Sequence, residues 1–495
     1  MSKLALHWRS LVLLSFIVAG AVLFGGAAAQ NVDPQHVHEA VHAWSVEHPG
    51  ATVPVIVRAE PGSDAAALAI TAGGHVRTDL RLINAVAADV PADRIDALGS
   101  TGGVEWISLD SPVYSTANPS SNNTVTTDVF PQEIHADTLT RGGNSGQGIG
   151  VAVIDTGIFL SNDFSGSTSS RIVATYSKDS TTGDGYGHGT HIAGLVGGNG
   201  TNSTKYIGVA PKANLIAVKV GSTDGSALMS DVVNGLNWVD TNRSTFNIKV
   251  VNLSLSSSTA QSYKTDPLDA AVEVLIFHKV LVVVSAGNLG TATGSVTYSP
   301  GNDPFVLTVG AVDDKTTTSY TDDVVPTWSS RGTTQDGFAK PDVYAPGANL
   351  IAVLSPNSTL ATQNAANVVG TSYLRLSGTS MAAGVASGAA AQMFFAHPAW
   401  TPGQVKAALM QTAVTVSSVK LVQVDTAAGL STAPADPTPN TKPNQLVLKA
   451  AGFSNPAGLT WTASLFNSTN WSAITVASTT SGSVTFDRVS WHAAQ

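Results

Sequence analysis

At 495 residues the chain exceeds what a single hydrophobic core ordinarily serves, so two or three folded units are expected. Hydrophobic residues make up 43%, charged residues 12%, and there are 46 glycines, a balance that excludes a disordered polymer and suits buried strands joined by tight turns. A formal charge of -9 argues against a nucleic-acid partner, because phosphate binding needs clustered Lys and Arg, and zero Cys excludes a disulfide framework, a thiol nucleophile and thiolate metal sites.

Residues 1–29 have the layout of a secretory signal peptide. Lys3 and Arg9 supply the positive end, Leu11 to Phe24 the apolar stretch, and Ala27, Ala28 and Ala29 the small-residue cleavage site. A secreted protein is expected, extracellular, periplasmic or at the cell surface. An uncleaved anchor is the alternative, since Leu11 to Ala29 approaches the ~20 residues that span a bilayer; Gly25 and Gly26 break the run and favour cleavage. Residues 30–52 read as an N-terminal pro-region in which His36, His38 and His42 have helix-face spacing, which suits a solvated face better than a metal site.

Residues 53–115 read as a small α+β unit. The strand TVPVIVRA is followed by a helical stretch over 64–72, the strand INAVAADVP, a helical stretch over 92–98 and the strand VEWISLD. Residues 116–128, rich in Ser, Thr and Asn without periodicity, read as an exposed linker, and residues 431–443 as a second one. Between them, residues 129–430 alternate apolar strands with helices. GVAVID, NLIAVKV, IKVVNLSLS, VLVVVSAG and FVLTVGAV are short and nearly continuous in hydrophobicity, as strands buried on both faces should be. Helices are expected over 189–197, 227–240 and 266–279. The fold class is therefore α/β, a mostly parallel sheet covered by helices on both faces. Residues 444–495, with Trp461, Trp471 and Trp491 among short alternating runs, read as a β-rich C-terminal piece.

In such sheets function gathers beyond the carboxyl ends of the strands. Asp155 closes the first strand, Asn252 and Ser254 lie near the end of the third, and Asn288 follows the fourth. His188 and Ser380 open two helices in GHGTHIAG and SGTSMAAG. A serine hydroxyl needs a base to take its proton, and the base needs a partner to fix its tautomer, so Ser, His and Asp are the types required. SGTSMAAG lacks a second Gly two residues after the serine, which excludes the G-x-S-x-G elbow, and the chain order Asp155, His188, Ser380 differs from that of the α/β-hydrolases.

VIDTGI, GHGTHIAG, SAGN and GTSMA, in this order, resemble the signature segments of the subtilisin-like serine proteases, and GVAPKANLIAVKV and KPDVYAPG resemble the segments between them. The resemblance covers residues 129–430 and implies a three-layer α/β sandwich that hydrolyses peptide bonds through an acyl-enzyme. It implies Ser380 as nucleophile, His188 as base, Asp155 as the residue orienting that base, and Asn288 as an oxyanion donor. Ser254, Leu255, Ser256, Gly225 and Gly287 are implied to border the substrate groove. By the same resemblance residues 53–115 are an inhibitory pro-domain, removed by the enzyme itself; an accessory binding domain is the alternative. The implied partners are polypeptide substrates and the chain's own pro-domain, with a monomer after processing. No cofactor is required for catalysis. Structural calcium varies among members, and Asp163 with the loop 199–206 offers the oxygen ligands it prefers.

The chain departs from the family pattern at Gly384, where a Pro is usual and the turn carrying Ser380 is expected to loosen, and at Ser256 and Ser257 in NLSLSSS, where Gly is typical. Tyr298 is either the floor of the primary pocket or ordinary packing. His191 is expected to pack. Two rivals remain: a secreted binding module that keeps the fold without the chemistry, against which the intact Asp155, His188, Ser380 and Asn288 speak, and the acid-active serine peptidases, which would carry Glu in place of His188.

Overall fold

The strand Gly150–Asp155 is buried at every position, and Asn214–Lys219, Ile248–Leu253, Leu281–Ser285 and Leu307–Val312 are nearly so. Strands buried on both faces need covering on both faces. They form the middle of a nine-stranded sheet ordered 414–416, 419–421, 343–346, 307–312, 281–285, 248–253, 150–155, 214–219, 172–177. Neighbours run parallel throughout except at the edge hairpin 414–421. Successive side chains point to opposite faces. Val151 and Val153 join one core with the helices His188–Gly197 and Thr379–Ala396, while Ala152 and Ile154 join another with the helices Met229–Asn242 and Pro267–Phe277. The chain is a three-layer α/β sandwich, as its sequence leads one to expect. The structure, a computed structural model, describes residues 36–115, 118–119, 126–438 and 441–450. The reading of 1–29 as a signal peptide, and that of 444–495 as β-rich beyond residue 450, fall outside the described residues.

The helix Thr379–Ala396 is buried from its first residue to Phe394. Small residues permit this: a Cβ on Gly388 would lie 2.5 Å from Val209 Cβ, so only glycine allows the approach. The helix runs unbroken through Gly384.

The N-terminal unit is a four-stranded antiparallel sheet ordered His75–Leu80, Ala85–Pro91, Thr52–Ala59, Val104–Leu109. The strand His75–Leu80 is absent from the sequence reading because HVRTDL is mostly polar and only half buried. The unit begins by His36 and not at residue 53: Val37 and Val41, in and before the helix Glu39–Glu47, belong to its core. His36, His38 and His42 bond to Glu105 O, Ala40 N and Asp96.

The other face of this sheet lies against the sandwich. Ile56, Leu82, Ile83, Ala85 and Ala87 share a core with the helices 229–242 and 267–277. Asp110 accepts from Ser230 N at 2.9 Å and Ser230 Oγ at 2.8 Å at the start of the 229–242 helix, and from Arg77 at 2.7 Å. The fully buried Arg58 donates to Thr265 O at 3.0 Å, and desolvation brings its pKa down to about 10.

Neither presumed linker is a free tether. Asn118–Pro119 pairs antiparallel with Ser377 and Leu376, Thr126 O accepts from Tyr206 Oη, and Asp128 accepts from Ile351 N. Backbone pairing of this kind requires no side-chain periodicity, so a Ser/Thr/Asn run conceals it. Similarly Lys442 O accepts from Tyr263 Oη, and the C-terminal piece opens with a helix, Gln445–Ala450, instead of a strand. Its Val447 is buried in the core that holds the 267–277 helix.

Asp110→Ala, made in a Ser380→Ala background, is expected to destabilise the chain by about 1–3 kcal/mol, since it strips three donors of their acceptor. Asp93→Ala, at an exposed ion pair, should stay within about 0.5 kcal/mol. Denaturant midpoints of the two variants check the contrast.

Candidate active site

Asp155 ends its strand and His188 starts its helix so that His188 Nδ1 meets Asp155 Oδ1 at 2.8 Å and Oδ2 at 2.9 Å, with both side chains out of water. His188 Nε2 is buried and makes no hydrogen bond. The turn into the helix passes through Gly187 at φ +99°, where a side chain would run into Ser358. Asp184, which the sequence reading did not single out, fixes this corner. Its Oδ1 accepts from Thr156 Oγ1 at 2.8 Å and Gly187 N at 2.7 Å, and its Oδ2 from Thr190 N at 2.8 Å and Thr190 Oγ1 at 2.7 Å. Thr156 in turn donates its N–H to Asp155 Oδ1 at 2.8 Å and accepts from Gly189 N at 3.1 Å. Burial pushes the Asp184 carboxyl up and these donors pull it back. The only sequence signal was an acid four residues before a helix-opening His.

Ser380 Oγ donates to Ser254 O at 3.2 Å. Ser254 Oγ donates to Ser380 O at 3.1 Å and accepts from Asn252 Nδ2 at 2.8 Å, and Asn252 Oδ1 accepts from Ser387 Oγ at 3.0 Å. Ser254 thus grips the residue at the helix start through both its backbone and its side chain. Asn288 Oδ1 accepts from Thr379 N at 3.1 Å and Thr379 Oγ1 at 3.0 Å, so the amide's oxygen end is committed to the helix start. Gly287, at φ +95°, donates to Thr379 Oγ1 at 3.1 Å and its carbonyl accepts from Ser330 N at 3.0 Å. It supports the turn that carries Asn288.

A strand of the N-terminal unit lies in the crevice. Pro112–Ser115 is the middle strand of three, antiparallel to Ser226–Leu228 on one side and to Leu255–Ser257 on the other. Ser115 pairs with Leu255 and Tyr114 with Ser256, and Ser115 N donates to Gly225 O at 3.3 Å. Any side chain at Gly225 would strike the ring of Tyr186. Val113 is buried among Val220, Ala227 and Leu255. Ser257 is turned away, donating to Thr259 O and accepting from Ser299 Oγ. Of the remaining candidates, Tyr298 makes a β-bridge with Ala260. His191 packs as expected: its Nε2 bonds to Leu374 O at 2.9 Å and Leu350 O at 3.3 Å, and burial, with the neighbouring His188, brings its pKa down to about 3. Asp163 has no part in the crevice; its Oδ1 accepts from Asn202 N and its Oδ2 from Tyr373 Oη, both at 2.7 Å. Among the described residues no group of three or more His, Asp or Glu is arranged to hold a metal ion.

A doubly wound parallel sheet with an Asp at a strand end and a His and a Ser at two helix starts is the arrangement of the serine peptidases of the Asp–His–Ser type. The sequence matches the Subtilase family over residues 146–454, and the chain belongs to that family. It is 38% identical over 290 residues to serine protease AprX of Bacillus subtilis (strain 168), covering 56% of this chain and 64% of AprX. It is 32% identical over 344 residues to subtilisin E of the same organism, covering 69% of this chain and 78% of subtilisin E. Fervidolysin from Fervidobacterium pennivorans, a keratinolytic enzyme related to subtilisin, has a similar fold at a TM-score of 0.60 and 22% identity, over 78% of this chain and 62% of that one.

Asp184→Asn is expected to lower kcat by about 10–100-fold with little change in KM, because an amide cannot accept all four bonds and both halves of the Asp155–His188 pair shift. Steady-state kinetics on a peptide substrate, with circular dichroism to confirm folding, check it.

Proposed function

We propose that the chain is a secreted serine endopeptidase, made as a precursor whose own Ser380 cuts the N-terminal unit away. The observation that carries this reading is the pairing of residues 112–115 and 118–119. Pro112–Ser115 is paired with the strands beside Ser254, and Asn118–Pro119 is paired with Leu376 and Ser377 just before Ser380. Two segments close in sequence are thereby held as strands, one beside Ser254 and one just before Ser380, in the manner of a bound peptide substrate. The cut falls between Ser115 and Asn118.

In the proposed mechanism Ser380 Oγ turns from Ser254 O to His188 Nε2, which takes its proton as the oxygen attacks the peptide carbonyl. Asp155 holds His188 by Nδ1, keeping Nε2 the accepting nitrogen and stabilising the imidazolium that forms. Charge developing on the carbonyl oxygen is met by the Asn288 side-chain amide and the Ser380 N–H, at the positive end of a long buried helix. His188 then returns its proton to the leaving amine, and water releases the acyl group by the reverse steps. No cofactor enters this scheme.

Substrates are extended polypeptides that replace Pro112–Ser115 as the middle strand, with Leu255 and Ser256 on one side, Gly225 on the other, and an apolar side chain where Val113 sits. After the cut the N-terminal unit remains as a bound product and inhibits until it is lost. Residues 1–29 direct export, and the mature enzyme is a monomer.

Ser380→Ala is expected to leave the precursor uncut, whereas the parent yields a mature form beginning between Thr116 and Asn118; intact mass and N-terminal sequencing read both. A Ser380→Ala chain shortened at that same place in the absence of other proteases would overturn self-processing. Asn288→Ala is expected to lower kcat by roughly 10²–10³ with little change in KM, the range for loss of one oxyanion donor; kinetics of the mature form on a chromogenic peptide measure it.

A further inference from the structure

A calcium site requires oxygen atoms turned toward one point and no donors competing for them. The corner formed by Asn162–Phe164, the 199–206 loop and the strand Tyr373–Ser377, where the sequence suggested such a site, has the opposite polarity around its carboxylate. Asp163 is fully buried, and each of its oxygens already receives a hydrogen: Oδ1 from Asn202 N and Oδ2 from Tyr373 Oη. Burial, followed by the facing Asp163, pushes the Tyr373 hydroxyl up, so it stays a donor. A cation placed beside Asp163 would meet the hydrogens of an amide and a phenol.

The carbonyls that do converge in this corner point elsewhere. Ser165 O, Asp163 O, Gly197 O and Ala213 O all accept from the guanidinium of Arg171, through Nε at 3.3 Å, Nη2 at 2.8 Å and 2.5 Å, and Nη1 at 3.0 Å. Arg171 is 8% exposed. Desolvation lowers its pKa only to about 10, partly offset by Asp163, so it is charged at neutral pH.

We propose that Arg171 is the built-in cation of this corner, filling the carbonyl cage in the field of Asp163, so that the corner takes no metal ion. The residues do not fit calcium because the chain has supplied the charge itself. The same device recurs across the sheet. Lys406 Nζ lies 2.8 Å from Pro304 O, 2.7 Å from Val306 O and 3.2 Å from Asp342 Oδ2, and Lys340 Nζ donates to the same carboxylate oxygen at 2.9 Å. There too a side-chain ammonium stands where carbonyls and a carboxylate meet.

The test is thermal unfolding of the full chain in a Ser380→Ala background, in excess calcium and in excess EGTA. Whatever shift calcium produces in the parent should be unchanged in Asp163→Asn. A calcium-dependent rise of more than about 3 °C in the parent that is lost in Asp163→Asn would overturn the proposal. Arg171→Met should lower the midpoint by at least about 5 °C both with and without calcium, since Gly197 O and Ala213 O lose a buried charged donor and Asp163 O and Ser165 O are left to Asn199. An Arg171→Met chain with the parent's midpoint would also overturn it. Should that variant fail to fold, the comparison of the parent with Asp163→Asn still decides.

Discussion

A carboxylate and an imidazole that meet at 2.8 Å with both side chains out of water hold that contact only if their supports are fixed, and much of the architecture around Asp155 and His188 serves this requirement. The two residues come from different elements, a strand end and a helix start. Asp184 joins those elements: one oxygen binds Thr156, next to Asp155, and both oxygens bind the turn that presents His188. Ser355 Oγ, donating to Asp184 O at 2.7 Å, ties the same corner to the loop after the strand Leu350–Val353. A misplacement of about 1 Å at a reacting group can cost ~100-fold in rate, which is reason enough for a buried acid that never touches substrate.

Ser380, the proposed nucleophile, is held by a different logic. Its helix lies in the core, so its position is set by packing, and what must be controlled is the first turn. The sequence of Ser387, Asn252 and Ser254 carries hydrogen bonds from the third turn of that helix to the end of a central strand and back to Ser380 O. This accounts for the intact helix start despite Gly384, where the family pattern led one to expect a loosened turn. Because Ser254 also begins the segment that pairs with residues 113–115, the backbone that receives a peptide and the backbone that grips the nucleophile are the same.

The central strands were legible because continuous apolar runs of five or six residues have few other fates, and the catalytic types were legible because their flanking segments are distinctive. Polarity hid the rest. The strand His75–Leu80 is half exposed, and Asn118–Pro119 pairs through backbone alone, so neither leaves a hydrophobic pattern. The helix Gln445–Ala450 is too short to declare a period. Asp163 was readable as an oxygen ligand but not as one already saturated by donors, because Tyr373 lies 210 positions away in sequence. Asp184 and Arg171 act through contacts that local sequence does not record.

The same reasoning explains how the molecule tolerates a second group of buried acids. Asp266, Asp269 and Glu273 recur along one face of the 267–277 helix and its cap, opposite Asp303, all fully buried. Desolvation pushes all four up, Asp266 and Asp303 to about 6, and neither oxygen of Asp269 has a hydrogen-bond partner. The chain covers them from two sides. Arg58 of the N-terminal unit donates to Thr265 O and lies in the field of Asp266, while Asn444 donates its N–H to both oxygens of Glu273 and its side chain to Tyr263 O and Asp266 O. Both covers clasp the loop 261–266: Gln261 Nε2 donates to Ser108 Oγ of the N-terminal unit, and Gln445 N donates to Lys264 O. Either cover keeps water from carboxyls whose charged form burial disfavours. The N-terminal unit and the segment after residue 440 therefore meet at one helix and the loop before it, although Arg58 and Asn444 are nearly 400 residues apart in sequence.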